Sequence, residues 1–338
     1  MWYTKKTDKT SLSFFSLALQ LFQSNTIYST FKTRDSKLMM QQFKERFQEN
    51  QKLLAYLTLI LLSMLWGVSF FFIKKGLVTF SWDQVAALRI TFATLAFSPF
   101  IVRAFRKVES SQYRYVFAFA MLGNAIPAFL FPLAQTQISS SLAGILNSIT
   151  PLLTFTAGVL FFGVAFILRK FWGVLLGLVG ASILILYGAD WESDGNQWYG
   201  LFAVLASVCY GFSSNIIKNK LQNIPSHLTS AIAFAFVGPW AIGYLFLGTD
   251  FIHTMQTDEN AWFSFTSVLY LGFISTALAT YIFIKLVQMT SALFGAAVAY
   301  IIPITAVFIG FLDGEFITVW HFVGMALILF GVYLTRGK

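Results

Sequence analysis

The sequence predicts an all-α polytopic membrane protein, ten transmembrane helices built as two inverted five-helix repeats. Three observations predict it. The 338 residues are 57% hydrophobic and only 11% charged, with a mean hydropathy of +0.71, whereas a soluble chain carries roughly 25% charged residues. The apolar residues form continuous runs of roughly 20, the helical length that crosses about 30 Å of hydrocarbon; barrel strands would instead alternate over about 10 positions. The same succession of small residues, prolines and glycines also occurs twice, once in each half of the chain.

Taken in order, the runs place spans at 53–73, 84–102, 115–133, 141–162 and 171–188, then at 198–217, 228–247, 262–283, 291–311 and 318–335. The first closes on Lys74 and Lys75, and the second opens after Trp82 and Asp83 and closes at Arg103. The third carries Pro127 and Pro132. The fourth enters through SSSLAG and turns at Pro151, and the fifth is spaced by Gly173, Gly177 and Gly180. The second half repeats the plan from the WYG of Trp198 to the closing glycine of Gly331. Residues 1–52 are expected to form a cytoplasmic tail, and 53–190 and 198–335 the two repeats. Within the tail, SLSFFSLALQLF follows Lys5, Lys6 and Lys9 as a signal peptide would, yet it is too short to span and lacks a small-x-small cleavage site. Residues 1–38 read as a loose, disordered extension or as an overcalled start ahead of Met39.

Charge orients the spans. With the N-terminus in the cytoplasm, 20 of the 23 Lys and Arg fall inside, Lys74 and Lys75 outside, and Arg89 within a span. The acids Asp83, Asp190, Glu192, Asp194, Asp250, Asp258, Glu259, Asp313 and Glu315 fall outside. The excess of Lys and Arg on the short inner loops sets orientation, so both termini are expected in the cytoplasm of a plasma membrane, the inner one in a Gram-negative cell. The net charge of +9 is thereby a topology signal and a contact with anionic lipid, which argues against nucleic acid as a partner. Trp82, Trp191, Trp198, Trp262 and Trp320 lie near outer span ends, as an interfacial belt requires.

The repeat is carried by three matches in the same order. WGVSFFFIK (Trp66–Lys74) corresponds to YGFSSNIIK (Tyr210–Lys218), Pro151 to Pro303, and the glycine pair Gly173 and Gly180 to Gly324 and Gly331. Five spans per half is an odd number, so the second half enters the bilayer from the opposite side. Inverted repeats of this kind allow two mirror-related conformations around a site near the midplane.

The Trp-Gly-x-Ser lead, Arg89 in the second span, the small-residue runs into Pro151 and Pro303, and Gly314-Glu315 before a glycine-spaced last helix resemble EamA-type members of the drug/metabolite transporter superfamily. The resemblance covers 53–336 in two copies. It implies a ten-helix transporter, commonly an exporter of amino acids, related small amphipathic metabolites or drugs. The first half departs from the pattern, with Gly163-Val164 where the second has Gly314-Glu315.

Site candidates follow from polar or rigid groups inside the spans. Arg89 is the basic residue deepest in a span, and such a charge costs at least ~2.5 kcal/mol to insert; it needs a partner, water or a substrate carboxylate. Asn124, Asn147 and Asn215 would be poorly solvated in lipid. Asn147 stands one turn before Pro151, where its amide could serve the carbonyl freed by the proline or a ligand. Trp66, Tyr210, Tyr281 and Tyr300 are aromatic residues that could line a cavity or simply pack. Pro151 and Pro303 are expected to kink their helices toward that cavity. Glu315 reads as a structural carboxylate beyond a helix end or as a gating and coupling group. Lys285 reads as a topology charge, and Gly173 with Gly177 as a helix-contact face.

These features favour a secondary transporter working by alternating access. No GxxxxGK[ST] loop offers a nucleotide site, and HExxH, GxSxG or paired intramembrane acids, which a membrane-embedded enzyme would need, do not occur. A channel is the alternative, with a membrane-embedded enzyme behind it. No cofactor or metal is expected: Cys209 stands alone, and His227, His253 and His321 are isolated. The scarcity of charge inside the spans points to neutral, zwitterionic or amphipathic solutes. The residues leave the oligomeric state, including a homodimer, open.

Overall fold

The computed structural model describes residues 34–187 and 195–335 and separates the chain into two units, 1–54 and 55–338. In the first unit the chain is helical from Arg34; most of the segment expected as a loose extension, and the outer acids Asp190, Glu192 and Asp194 with Trp191, lie outside the described residues. The second unit is a helical bundle with no strand among the described residues.

Helix α1 (Arg34–Gly76) has its membrane-length part at Gln51–Gly76. After a short turn, α2 (Trp82–Lys107) starts at Ser81, whose backbone N–H donates to the Gln84 side chain. Helix α3 (Ser110–Gln135) widens to a π turn over Met121–Ala125. Pro127 follows directly; it has no N–H for the carbonyl four residues back, so the ladder must adjust there. Helix α4 (Ser140–Phe161) is two pieces, Ser140–Asn147 and Thr150–Phe161, joined by a turn. Then come α5 (Leu168–Tyr187), α6 (Gln197–Lys220), α7 (Ser226–Leu247) and a short α8 (Phe251–Thr257). Helix α9 (Ala261–Met289) contains a π stretch over Leu271–Leu278. Helix α10 (Ala292–Leu312) is broken by a 3-10 turn at Ala297–Tyr300, and α11 (Val319–Thr335) ends the described chain.

Eight of these, α1–α4, α6, α7, α9 and α10, are long and apolar enough to cross a membrane. Helices α5 and α11, expected as the fifth and tenth spans, are not among the eight. Helix α11 has 17 residues where roughly 20 are needed; α5 reaches 20, but not all of its side chains are among those described. These two pack along each other. A side chain at Gly331 would meet the carbonyl of Gly173, and one at Gly180 the carbonyl of Gly324 at 2.9 Å. The pairs meet crosswise, 173 with 331 and 180 with 324, so α5 and α11 run antiparallel with their backbones close. Small residues permit that approach.

Both halves repeat several local devices. Ser139 and Ser291 cap α4 and α10, each hydroxyl accepting from the N–H three residues on. Each of these helices breaks just before its proline, and each ends on a glycine in the left-handed region, Gly163 (φ 70°) and Gly314 (φ 82°). That conformation is cheap only for glycine. The π turns of α3 and α9 also occupy matching places.

The outer surface is apolar. Leu247 is 90% exposed and Trp240 81%, with Leu160, Trp262 and Phe311 also bare. A water-soluble bundle rarely exposes apolar surface so extensively; a bilayer covers it at no cost. The chain is a multi-pass membrane protein.

Candidate functional site

Helices α1, α2, α3, α4, α6, α9 and α10 surround a central cavity of about 70 Å³. Its apolar walls are aromatic: Trp66, Phe70, Phe119, Phe131, Tyr210 and Phe283. These rings brace one another, Trp66 against Phe283 at 5.2 Å between centroids, Phe70 against Phe131 at 5.3 Å, and Phe131 stacked on Tyr210 at 6.0 Å. Such contacts fix ring positions without spending polar groups.

The helix breaks supply part of the polar lining. In α4, Pro151 cannot donate to the carbonyl of Asn147, and the Thr150 hydroxyl donates to it instead at 2.7 Å. The break therefore presents Asn147 and Thr150 to the cavity. Asn147 Oδ1 accepts from Thr150 Oγ1 at 3.3 Å and from Ser207 Oγ at 3.4 Å. In α10, the Ser63 hydroxyl of α1 donates to the carbonyl of Val298 at 2.8 Å, and Val298, Ala299 and Ile302 face the cavity. In α9, the π stretch leaves the Ser275 carbonyl to accept from Trp66 Nε1 at 2.8 Å. Irregular backbone at membrane depth survives where protein or a cavity satisfies it, and these three places meet that condition.

Arg89 projects from α2 into this cavity and is only 7% exposed. Its Nε donates to Thr276 Oγ1, and it has no ion pair among the described residues. Asn124 stands on the π turn of α3. Its Oδ1 accepts from Thr280 Oγ1 at 3.2 Å, while its buried Nδ2 has no partner among the described residues.

Five of the eight residues expected to line a cavity are thus brought together: Trp66, Arg89, Asn124, Asn147 and Tyr210. Three are placed elsewhere. Asn215 spends its amide on backbone, donating to the carbonyls of Thr154 and Gly211 at 2.9 Å each, and so ties α6 to α4. Tyr281 packs against the apolar core between α2, α3 and α7. Tyr300 lines a separate groove with Tyr56 and Phe294. Pro151 and Pro303 are buried but do not line the cavity; each starts a new helical piece, and its neighbours face the opening. Sequence reasoning passed over Ser213, Ser214, Ser275 and Thr276, which also line it. Their signal was available as small polar residues inside apolar runs.

A second polar cluster closes one end of the bundle. The Glu315 carboxylate accepts from the backbone N–H groups of Ser140 (3.0 Å) and Ser141 (2.9 Å) and from the Ser141 hydroxyl (2.6 Å). Lys74, at the end of α1, lies 3.2 Å from Glu315 and 2.7 Å from Asp313, and Lys75 lies 2.5 Å from Asp313. A carboxylate at a helix N-terminus satisfies orphan donors and complements the dipole. The loop after α10 is thereby fastened to α1 and to the start of α4. Burial pushes the Glu315 carboxyl up, but the Ser141 and Ser140 donors with the Lys74 charge outweigh it and hold it below its ordinary value. Asp313 follows the same pattern: burial raises it, and hydrogen bonds and charge from Lys74 and Lys75 bring it below the usual range. Where the second half has Glu315, the first has Val164, whose side chain lies against Gly158.

A lipid-embedded helical bundle with broken helices around a central cavity, sealed at one end by an ion-pair cluster, defines the class of a solute-handling membrane protein. The EamA-like transporter family matches residues 53–186 and again 197–337. The chain belongs to that family and is a membrane transporter. It is 24% identical over 279 residues to a WAT1-related protein of Arabidopsis thaliana, covering 73% of this chain and 72% of the plant protein. It is also 24% identical over 289 residues to a protein of Escherichia coli K12 named "probable amino-acid metabolite efflux pump", covering 81% and 92%. A solved crystal structure, described simply as that of a protein, superposes with a TM-score of 0.59 at 16% identity, covering 83% of this chain and 96% of its own; the fold is shared.

Proposed function

We propose that the chain is a secondary transporter that exports small metabolites by alternating access, with 53–190 and 198–335 as two five-helix repeats inserted in opposite senses. The observation that carries this reading is the central cavity, whose lining comes from both halves and includes residues at helix breaks in matching positions, Asn147 and Thr150 before Pro151 and Val298 and Ala299 before Pro303. Inverted-repeat transporters build their sites from such discontinuous helices near the midplane. The antiparallel contact of α5 with α11, and the repeated serine caps, π turns and terminal glycines, support the same symmetry.

In this reading all ten helical rods cross the bilayer, α5 and α11 among them, and both termini face the cytoplasm of the plasma membrane, the inner one in a Gram-negative cell. The Lys74–Asp313–Glu315–Ser141 cluster is the gate on the outer side. Its asymmetry with Val164 makes that gate an ion-pair cluster and leaves the opposite one to hydrogen bonds such as those of Lys218 with the Gln288 and Thr290 carbonyls. The name of the Escherichia coli relative favours amino-acid metabolites among the solutes, and the lipid bilayer is the partner its surface fits. Flux of labelled amino acids, carboxylates and drugs out of proteoliposomes tests the reading. Saturable movement of at least one solute supports it; equal leakage of every solute through a purified, folded protein contradicts it.

A further inference from the structure

We infer that the cavity selects solutes with a single carboxylate on an apolar, ring-sized body, and disfavours the same body carrying an ammonium group. The inference rests on the transporter reading for its setting and names the substrate class of that site.

Its basis is a charge count. Among the described residues lining the cavity, Arg89 is the one cation, and no Asp, Glu, Lys or His joins it there. Tyr210, the other titratable group of the lining, is a neutral phenol at ordinary pH. Only Nε of Arg89 is engaged within the protein, with Thr276, so the terminal N–H groups of its guanidinium have no acceptor among the described residues. That planar fork matches the two oxygens of a carboxylate. A buried charge without a counterion is costly, and a solute carboxylate supplies one.

A second, independent observation points to the same ligand chemistry. Asn124 is 6% exposed, and the Thr280 hydroxyl holds its Oδ1, which leaves Nδ2 as a buried donor with no acceptor among the described residues. Buried polar groups of native proteins are nearly always paired. Arg89 and Asn124 are both unfilled donors on one cavity. What the site lacks is an acceptor-rich group, and an oxygen anion is one. The rest of the lining is rings, Trp66, Phe119, Phe131, Tyr210 and Phe283, which suit an apolar or aromatic body. An α-amino acid adds an ammonium to a cavity that already holds Arg89 and offers no carboxylate to meet it. Like charges in a poorly solvated site repel strongly, so the zwitterion should be the poorer solute.

A matched set tests this: 3-phenylpropionate, its primary amide, phenylalanine and phenethylamine, at pH 7.5. Binding to the purified full chain is read by quenching of tryptophan fluorescence, and transport by flux in proteoliposomes. The expected order places 3-phenylpropionate at least about tenfold ahead of the amide and of phenylalanine, as one charge-assisted pair provides. Arg89→Gln should erase the gap between acid and amide by weakening the acid at least about tenfold. Arg89→Lys should keep the acid ahead, and thermal melting shows that each variant is folded. Phenylalanine or phenethylamine binding as well as the acid, no binding of the acid, or an acid preference that persists in folded Arg89→Gln overturns the inference. If the acid binds through Arg89 but does not cross the vesicle, the transporter reading fails and the carboxylate site stands. If other solutes are transported and the acid is not bound, the site inference fails and the transporter reading stands.

Discussion

At the scale of single residues, Glu315 and Asn215 separate what a sequence shows from what it hides. Both were visible as polar groups in an apolar chain. Nothing in the local sequence said that Glu315 would reach the N-terminus of a helix in the other half, because its partners Ser140 and Ser141 stand 175 and 174 positions away. Asn215 looked equally available for a solute, yet it spends its amide on two carbonyls. Arg89 was legible because an intramembrane cation is expensive wherever it lies. Replacing Glu315 by Gln keeps an acceptor for Ser141 but removes the charge facing Lys74. The expected loss is about 2 kcal/mol, the scale of one charged hydrogen bond, read as a lowered melting temperature in detergent. A variant as stable as the parent would show the clamp to be idle.

The same residue gives a signed pH dependence. Glu315 and Asp313 are held below their ordinary values when folded, so their contribution is complete above the unfolded value of roughly 4. It is lost as pH falls through the lower, folded value. Melting temperature should therefore be flat on this account from pH 8 to about pH 5 and fall only below about pH 4. Asp313→Asn with Glu315→Gln should flatten that acid limb. A midpoint near pH 6 to 7 that the double variant abolishes would contradict the assignment.

At the scale of elements, apolar run length located every long helix, and the prolines located the breaks in α4 and α10. The outcome is two helical pieces in each rather than a bend, because Ser148 to Ile149 and Ala297 to Tyr300 leave the α form before each proline. The π stretch of α9 has no proline within it and no signal in the sequence; it is set by tertiary contacts such as Trp66 Nε1 on the Ser275 carbonyl. Helices α5 and α11 illustrate the opposite case. Their glycines were legible as a contact face, but the crosswise pairing of Gly173 with Gly331 was not, because spacing within a helix says nothing of its partner's direction. Gly331→Leu should cost about 1–3 kcal/mol, the usual penalty of overpacking, and Gly243→Leu, where a side chain meets open space, should cost little. Thermal melting of the two variants compares them; equal stability would contradict the close α5–α11 approach.

At the scale of the whole molecule, a cavity lined from both halves is joined to an ion-pair seal that, among the described residues, stands at one end only. That seal ties α1 to the loop between α10 and α11 and to the start of α4. At the far end, Lys218, which matches Lys74 in the repeat, instead donates to the carbonyls of Gln288 and Thr290. In the alternating-access reading proposed above, one end would open by breaking ion pairs and the other by parting hydrogen bonds to carbonyls. The measurement that bears most directly on this is labelling of single cysteines at Thr136 and at Thr290, in a Cys209→Ala background, with and without a transported solute. The account predicts reciprocal change: as solute raises the labelling rate at one position, it lowers the rate at the other. Rates that rise together, or stay high at both positions at once, would contradict it and describe a channel.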